Sequence, residues 1–276
     1  MAVQLGSFGV WSPTPLWIKE GDAAAELEDL GYSALWLGGS PSGDLDAAST
    51  VLGTTSKLTV ATGIVNVWSE DAGQVSGSYR RITHDHPDRF LLGIGAGHRQ
   101  FVGDAYEKPY EKLVSYLDSL DVPREHLVLA ALGPRVLKLA RDRTAGAHPY
   151  LVTPEHTALA REVLGAGPLL APEQHVVLET DPDAARALAR QALRLYLGLP
   201  NYTNNWLRLG FTEADIADGG SDRLVDALVA WGSPEQVAKR LNEHLDAGAD
   251  HVAVQIVSGD GSHHRVAFRE LASVLF

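Results

Sequence analysis

Amphipathic stretches and short apolar runs alternate along this chain, and glycine joins them. Residues 23–30 lead through Gly31 into the run 33–37, residues 136–143 through Gly146 into 148–152, and residues 237–247 through Gly248 into 251–257. Gly is the expected residue just past a helix, where the backbone turns left-handed. Apolar runs without strict alternation suit strands covered on both faces. Residues 4–10, 58–65, 90–94, 126–131 and 175–179 are further candidates, which makes eight runs separated mostly by helical patterns. This is the βα alternation of a parallel sheet. Helix starts agree with it: Thr153-Pro154, Asp181-Pro182 and Ser233-Pro234 each set a capping side chain before a Pro at the first helical position, and Ser233 with Gln236 fits a capping box.

Eight strands with helices in 276 residues predict an α/β (β/α)₈ TIM barrel forming one domain over residues 1–276. A doubly wound open sheet is the competing architecture, because closure cannot be read from sequence. The interval from Glu179 to His251 has room for two or three helices, so an extended helical excursion is expected between strands seven and eight. Within it, residues 196–218 are placed over one end of the barrel.

In such a barrel the chemistry sits where strands end. The exits read Trp11-Ser12-Pro13, Gly38-Gly39-Ser40, Gly63-Ile64-Val65-Asn66, Gly93-Ile94-Gly95-Ala96-Gly97-His98 and Ala131-Leu132-Gly133-Pro134-Arg135. Gly clusters where backbone must approach a ligand closely or turn tightly, and its recurrence at four exits points to a flat ligand against the backbone. Gly133-Pro134-Arg135 opens a helix whose free amides and dipole favour an anion, with Arg135, Lys138, Arg141 and Arg143 adding positive charge. A solvated basic helix face is the alternative. Gly93-x-Gly95-x-Gly97 fails the dinucleotide fingerprint, because His98 stands where its third Gly belongs. His98 itself, just past a strand exit, is the candidate proton donor or acceptor. His84-Asp85-His86 lacks a third ligand cluster, so no metal is expected. His263-His264 reads as a surface loop. Ser76 and Ser78 fall in a helical pattern, away from any nucleophile elbow.

Composition narrows the field further. Net charge is −12, from 23 basic and 35 acidic side chains, which argues against nucleic acid or an anionic membrane as partner. With no Cys, disulfides and thiolate chemistry are excluded. The longest apolar run, residues 127–132, is far too short to span a bilayer, and residues 1–30 show no signal-peptide pattern. A cytoplasmic protein with a small-molecule substrate is expected.

Taken in order, these motifs resemble the bacterial luciferase-like flavin and deazaflavin oxidoreductases. The resemblance is strongest in residues 89–98 (RFLLGIGAGH), 130–139 (AALGPRVLKL), 148–156 (HPYLVTPEH) and 231–254 (WGSPEQVAKRLNEHLDAGADHVAV). Residues 199–216 (LPNYTNNWLRLGFTEADI) look like the branch assigned to the deazaflavin coenzyme F420. It implies a luciferase-like barrel, usually a homodimer, with residues 75–82 and 106–120 as interface candidates. The cofactor ring would lie across the strand ends, over a non-prolyl cis peptide at Gly63-Ile64. Its phosphate would sit near Ala131 to Pro134. The resemblance assigns cofactor contact to Gly38, Gly39, Gly63, Ile64, Val65, Asn66, Gly95, Ala96, Gly97, Ala131, Leu132, Gly133, Pro134, Arg135 and Tyr150, and catalysis to His98. Sugar-phosphate dehydrogenases of the family carry an Asp-His pair where this chain has Gly38-Gly39, and an acidic residue where it has His98. That argues against a sugar phosphate. The expected activity is hydride transfer between coenzyme F420 and a small organic substrate. An FMN-dependent monooxygenase and a non-catalytic cofactor-binding protein are the alternatives.

Overall fold

The computed structural model describes residues 3, 5–17, 22–258 and 264–276. Its strands are β1 (Phe8–Pro13), β2 (Ala34–Gly38), β3 (Thr59–Gly63), β4 (Val65–Asn66), β5 (Phe90–Gly95), β6 (Leu127–Leu129), β7 (Gly146–Ala147), β8 (Leu169–Leu170), β9 (Glu173–Val177), β10 (Val229–Trp231) and β11 (Val252–Ile256). All pairings between them are parallel. β8 and β9 are two halves of one strand, interrupted at Pro172, which has no N–H to give to a ladder. On one side this strand takes Ala171 N to Ala147 O (3.0 Å) and Glu173 N to Pro149 O (2.8 Å). On the other, its Leu170 and Pro172 carbonyls accept from Asp250 N and Ala253 N, both at 2.9 Å. β11 then pairs β1 with Phe8 opposite Val252. These bonds close the ring, so the architecture is the barrel and not the open sheet.

Several boundaries differ from the sequence reading, for local reasons. The run 58–65 splits at a cis peptide between Gly63 and Ile64, and β4 continues alone beside β5. The run 148–152 is not a strand: Pro149 interrupts pairing and Leu151 takes φ 56°. The strand expected at 175–179 starts earlier, at Glu173, and β10 was not expected at all. Gln4 lies outside the described residues. The expected helix caps form: the Thr153, Asp181 and Ser233 side chains accept from His156 N, Ala184 N and Gln236 N, and Ser233 with Gln236 makes the full capping box.

Two apolar layers hold the barrel together. Trp11, Ala34, Trp36, Ala61, Leu91, Val128, Ala171 and Ala253 fill its interior. A larger layer, including Val10, Leu35, Val60, Leu92 and Val254, lies between strands and helices. The excursion is real and longer than expected, with five helices (Pro182–Leu193, Pro200–Arg208, Glu213–Ile216, Asp222–Leu228 and Pro234–Asp246). Tyr202, Trp206, Leu224 and Leu228 pack it onto Leu151 and Val177. On the proposed interface helices, Val75, Tyr79, Ile82, Leu113, Tyr116 and Leu117 are already buried within the chain, so these side chains leave no open apolar face there. No helix among the described residues is long and apolar enough to cross a membrane.

Candidate active site

A cavity of about 890 Å³ opens over the C-terminal ends of the strands. Of the residues singled out in the sequence, Gly39, Gly63, Ile64, Asn66, Ala96, Gly97, His98, Ala131, Leu132, Gly133, Arg135 and Tyr150 line it. Gly38, Val65, Gly95 and Pro134 do not. Gly38 lies behind the wall, where a Cβ would come within 1.9 Å of the Trp11 ring. Val65 faces the apolar layer with no exposed surface, Gly95 packs against Ala130 and Ile64, and Pro134 is exposed. Gly marks the exits, and Gly38 and Gly95 make room for neighbouring side chains and do not line the cavity.

The floor was not anticipated. It is made by Trp11 and by His148, whose ring stacks on Trp36 with centroids 4.0 Å apart. His148 Nδ1 lies 2.7 Å from Ala171 O, and burial drives the imidazole down to about 4, so it is neutral at pH 7. His148 Nε2 and Trp11 Nε1 are both buried without a hydrogen-bond partner. Below them, Trp36 Nε1 donates to His251 Nε2 at 3.0 Å, and His251 Nδ1 donates to Gly6 O at 2.6 Å.

One end of the cavity is the turn Ala131–Gly133 that opens helix Pro134–Arg143, where Gly133 supplies no side-chain cap. His156 Nε2 donates to Leu132 O at 2.8 Å and fixes the turn. The cation that faces it is not the expected one. Arg135 stacks over Tyr110, 3.6 Å from its centroid, and pairs with Glu111 at 3.4 Å. Arg141 and Arg143 pair with Asp142 and Asp118, so much of the basic character of this helix is spent on neighbouring carboxylates. Arg208, from helix Pro200–Arg208 of the excursion, brings Nη2 to 3.7 Å from where a Gly133 Cβ would stand. Asn205 Oδ1 steadies it at 3.1 Å. Among the described residues no Asp or Glu lines this cavity, although the chain carries net charge −12. An anion is favoured there by local groups against the global field.

The opposite wall carries His98, half-buried at the start of the short helix Arg99–Val102. Its ring stands 5.4 Å from Tyr202 and 6.0 Å from Phe101, and burial lowers its pKa below 6.5. Asn201 Nδ2 reaches 3.4 Å from His98 Nδ1. Tyr150 donates to Gln255 Oε1 at 2.9 Å and so accepts from Tyr196 at 2.9 Å, with burial keeping both phenols neutral. The excursion therefore builds this side of the cavity. Tyr196, Asn201, Tyr202 and Arg208 escaped the sequence reading because their segment could be placed only as a whole, over one end of the barrel.

Residues 8–121 match the family model described as luciferase-like monooxygenase. Over 92% of this chain and 94% of its relative, the sequence is 24% identical to the 5,10-methylenetetrahydromethanopterin reductase of Methanolobus tindarius. An F420-dependent secondary alcohol dehydrogenase, solved with an F420–acetone adduct, superposes with TM-score 0.75 at 14% identity, covering 99% of this chain and 100% of that one. The FMN-bound oxygenating constituent of a diketocamphane monooxygenase from Pseudomonas putida superposes with TM-score 0.67 at 13% identity, covering 98% and 96%. The match to the luciferase-like family model is thus confined to residues 8–121, while the likeness in fold to these solved structures extends over the whole chain.

Proposed function

We propose that this protein is an F420-dependent oxidoreductase that moves a hydride between the deazaflavin and a small organic substrate. The observation that carries this reading is the shape and charge of one cavity. Among the described residues no carboxylate lines it, and it is open over the strand ends and cationic at the Gly133 turn. A flat heterocycle bearing a phosphate fits that combination. The relatives named as a reductase and as an F420-dependent dehydrogenase support it. A homodimer in the cytoplasm completes the proposal, the dimer resting on the family resemblance and the compartment on the Cys-free composition.

When bound, the deazaflavin supplies the hydride chemistry. The chain supplies the rest. Arg208 and the amides opening helix Pro134–Arg143 would hold the phosphate. Gly63 and Gly97 present no side chain to the cavity and so would leave room for a flat ring beside Ile64, and Tyr202 with Phe101 would shield the reacting edge from water. Asn201 donates to His98 Nδ1, which leaves the proton of the neutral imidazole on Nε2, the nitrogen from which His98, once protonated to the imidazolium, would pass a proton to substrate.

Titrating the purified protein separately with coenzyme F420 and with FMN, by absorbance and tryptophan fluorescence, tests the reading. F420 should bind at least about tenfold more tightly than FMN. Preference for FMN would transfer the site to the monooxygenase reading, which the FMN-bound neighbour of the same fold supports. Tight binding of F420 without turnover on any carbonyl or imine acceptor would favour a non-catalytic binding protein.

A further inference from the structure

The two ends of the cavity differ in chemistry. Helix Pro200–Arg208 runs between them: Asn201 reaches His98 and, seven positions on, Arg208 reaches the Gly133 turn, a separation of about 10 Å along the helix axis. Among the described residues Arg135 and Arg208 are the permanently charged side chains that line the cavity, and both stand toward the Gly133 turn. The end beside His98 carries no charge at neutral pH and above, because burial holds the His98 pKa below 6.5.

Rings build that end instead. Centroid to centroid, Phe101 lies 6.0 Å from His98, His98 5.4 Å from Tyr202, Tyr202 5.0 Å from Tyr196 and Tyr196 5.6 Å from Tyr150, and all five line the cavity. The Tyr150 and Tyr196 hydroxyls are spent on each other and on Gln255. Gln100 Nε2 donates to Gly198 O at 3.3 Å and ties the short helix that carries Phe101 to the turn Tyr196–Gly198, beside which Leu195 stands. Only five large apolar side chains among the described residues are exposed, and two of them, Phe101 at 63% and Leu195 at 51%, line this one cavity. Apolar surface gathered at the mouth of a cavity marks a place where a ligand or a partner covers it.

We infer that the end of the cavity beside His98 takes an uncharged aromatic carbonyl compound, and that Phe101 and Leu195 select it by covering its ring. This assignment rests on the deazaflavin reading and names the substrate class of the same site. The carbonyl lies toward His98 and the ring lies against the two apolar side chains, which the ligand removes from water. A negatively charged substituent on that ring would find no cation at this end, in a chain of net charge −12. A contact between two copies of this chain is the competing cover for Phe101 and Leu195.

Binding without turnover tests it. Protein loaded with oxidised coenzyme F420, which has no hydride to give, is titrated at about pH 8 with acetophenone, acetone and 4-acetylbenzoate, read by cofactor and tryptophan fluorescence. Acetophenone should bind at least about tenfold more tightly than acetone, which lacks the ring, and than 4-acetylbenzoate, which adds a carboxylate. Phe101→Ser and Leu195→Ser change exposed positions, so both variants should fold. Each should weaken acetophenone about fivefold more than it weakens coenzyme F420. Failure of acetophenone to bind, or equal affinity for acetophenone and either of the other two ketones, would overturn the assignment and leave the deazaflavin reading standing. Full acetophenone affinity in both variants would overturn it too, and a molecular mass halved in light scattering would then assign the two side chains to a contact between copies. Wild-type protein that does not bind coenzyme F420 would overturn the deazaflavin reading, and the substrate assignment with it.

Discussion

The histidines under and beside the site should make this protein lose stability in mild acid, well before its carboxylates titrate. Burial drives His148 and His251 down to about 4 and His244 down to about 3, from 6.5 in an open chain. Their hydrogen bonds show why protonation is resisted. His251 Nε2 already accepts from Trp36 Nε1 at 3.0 Å, and its Nδ1 faces Gly6 O. His244 lies between Thr157 Oγ1 at 2.8 Å and Gln174 Oε1 at 2.9 Å. The unfolded chain takes up a proton at each of these positions as pH falls through 6.5, while the folded chain does not until about 4 or below. Stability is therefore complete above 6.5 and is lost progressively towards 4. Between pH 7.5 and 5.5 each group costs about 1.3 kcal/mol, so the three together cost about 4 kcal/mol. That is a large share of the ~5–15 kcal/mol typical of a folded protein. Urea unfolding at the two pH values measures it. With an m-value of about 3 kcal/mol per molar, the midpoint should fall by about 1.3 M. His251→Gln, whatever its own stability, should remove about a third of the drop. A decrease below about 1 kcal/mol over this range, or one confined to pH below about 4.5, would refute the argument.

Two further outcomes concern the cavity. Arg208→Ala should weaken cofactor binding by at least about tenfold, the worth of one charge-assisted contact, whereas Arg135→Ala, already paired to Glu111, should stay within about twofold; a riboflavin-type analogue without phosphate should ignore both substitutions. His98→Ala should lower turnover on a carbonyl or imine substrate by about 10²–10⁴-fold while leaving cofactor affinity within a few-fold, and the wild-type rate profile should show a limb below pH 6.5 that the variant lacks.

What the sequence disclosed and what it withheld divide along physical lines. Helix starts were legible because a Thr, Asp or Ser before Pro has one economical use, and all three formed. The barrel was legible from βα alternation, but its closure was not, since closure depends on hydrogen bonds between residues 80 or more positions apart, such as Asp250 N to Leu170 O. Strand limits failed where backbone chemistry outweighs side-chain hydropathy: at Pro149, at Pro172, and at the Gly63-Ile64 peptide. The Gly-rich exits pointed to the right end of the barrel. They could not separate Gly63 and Gly97, which line the cavity, from Gly38, which makes room for an indole.

The site is assembled from two kinds of chain, and this explains why only half of it could be read in advance. The barrel contributes backbone: glycines, the cis peptide at Gly63-Ile64 and a helix opening, each of which leaves a local signature in sequence. The excursion contributes side chains across long separations. Arg208 reaches the Gly133 turn, Asn201 reaches His98, and Tyr196 reaches Tyr150 from 46 positions away. None of these partners is marked by spacing. The same division assigns roles. On the proposed function, the backbone that would hold the cofactor belongs to the regular fold, where each strand end is fixed by its neighbours on both sides, and Arg208 of the excursion joins it at the Gly133 turn. The side chains proposed to meet the substrate, Tyr202 and Asn201 beside His98, ride on a helix packed onto the barrel through Trp206 and Leu199. Substitutions at Asn201 and Tyr202 would reshape the proposed substrate end while Arg208, at the far end of the same helix, and the backbone of the Gly133 turn stay in place.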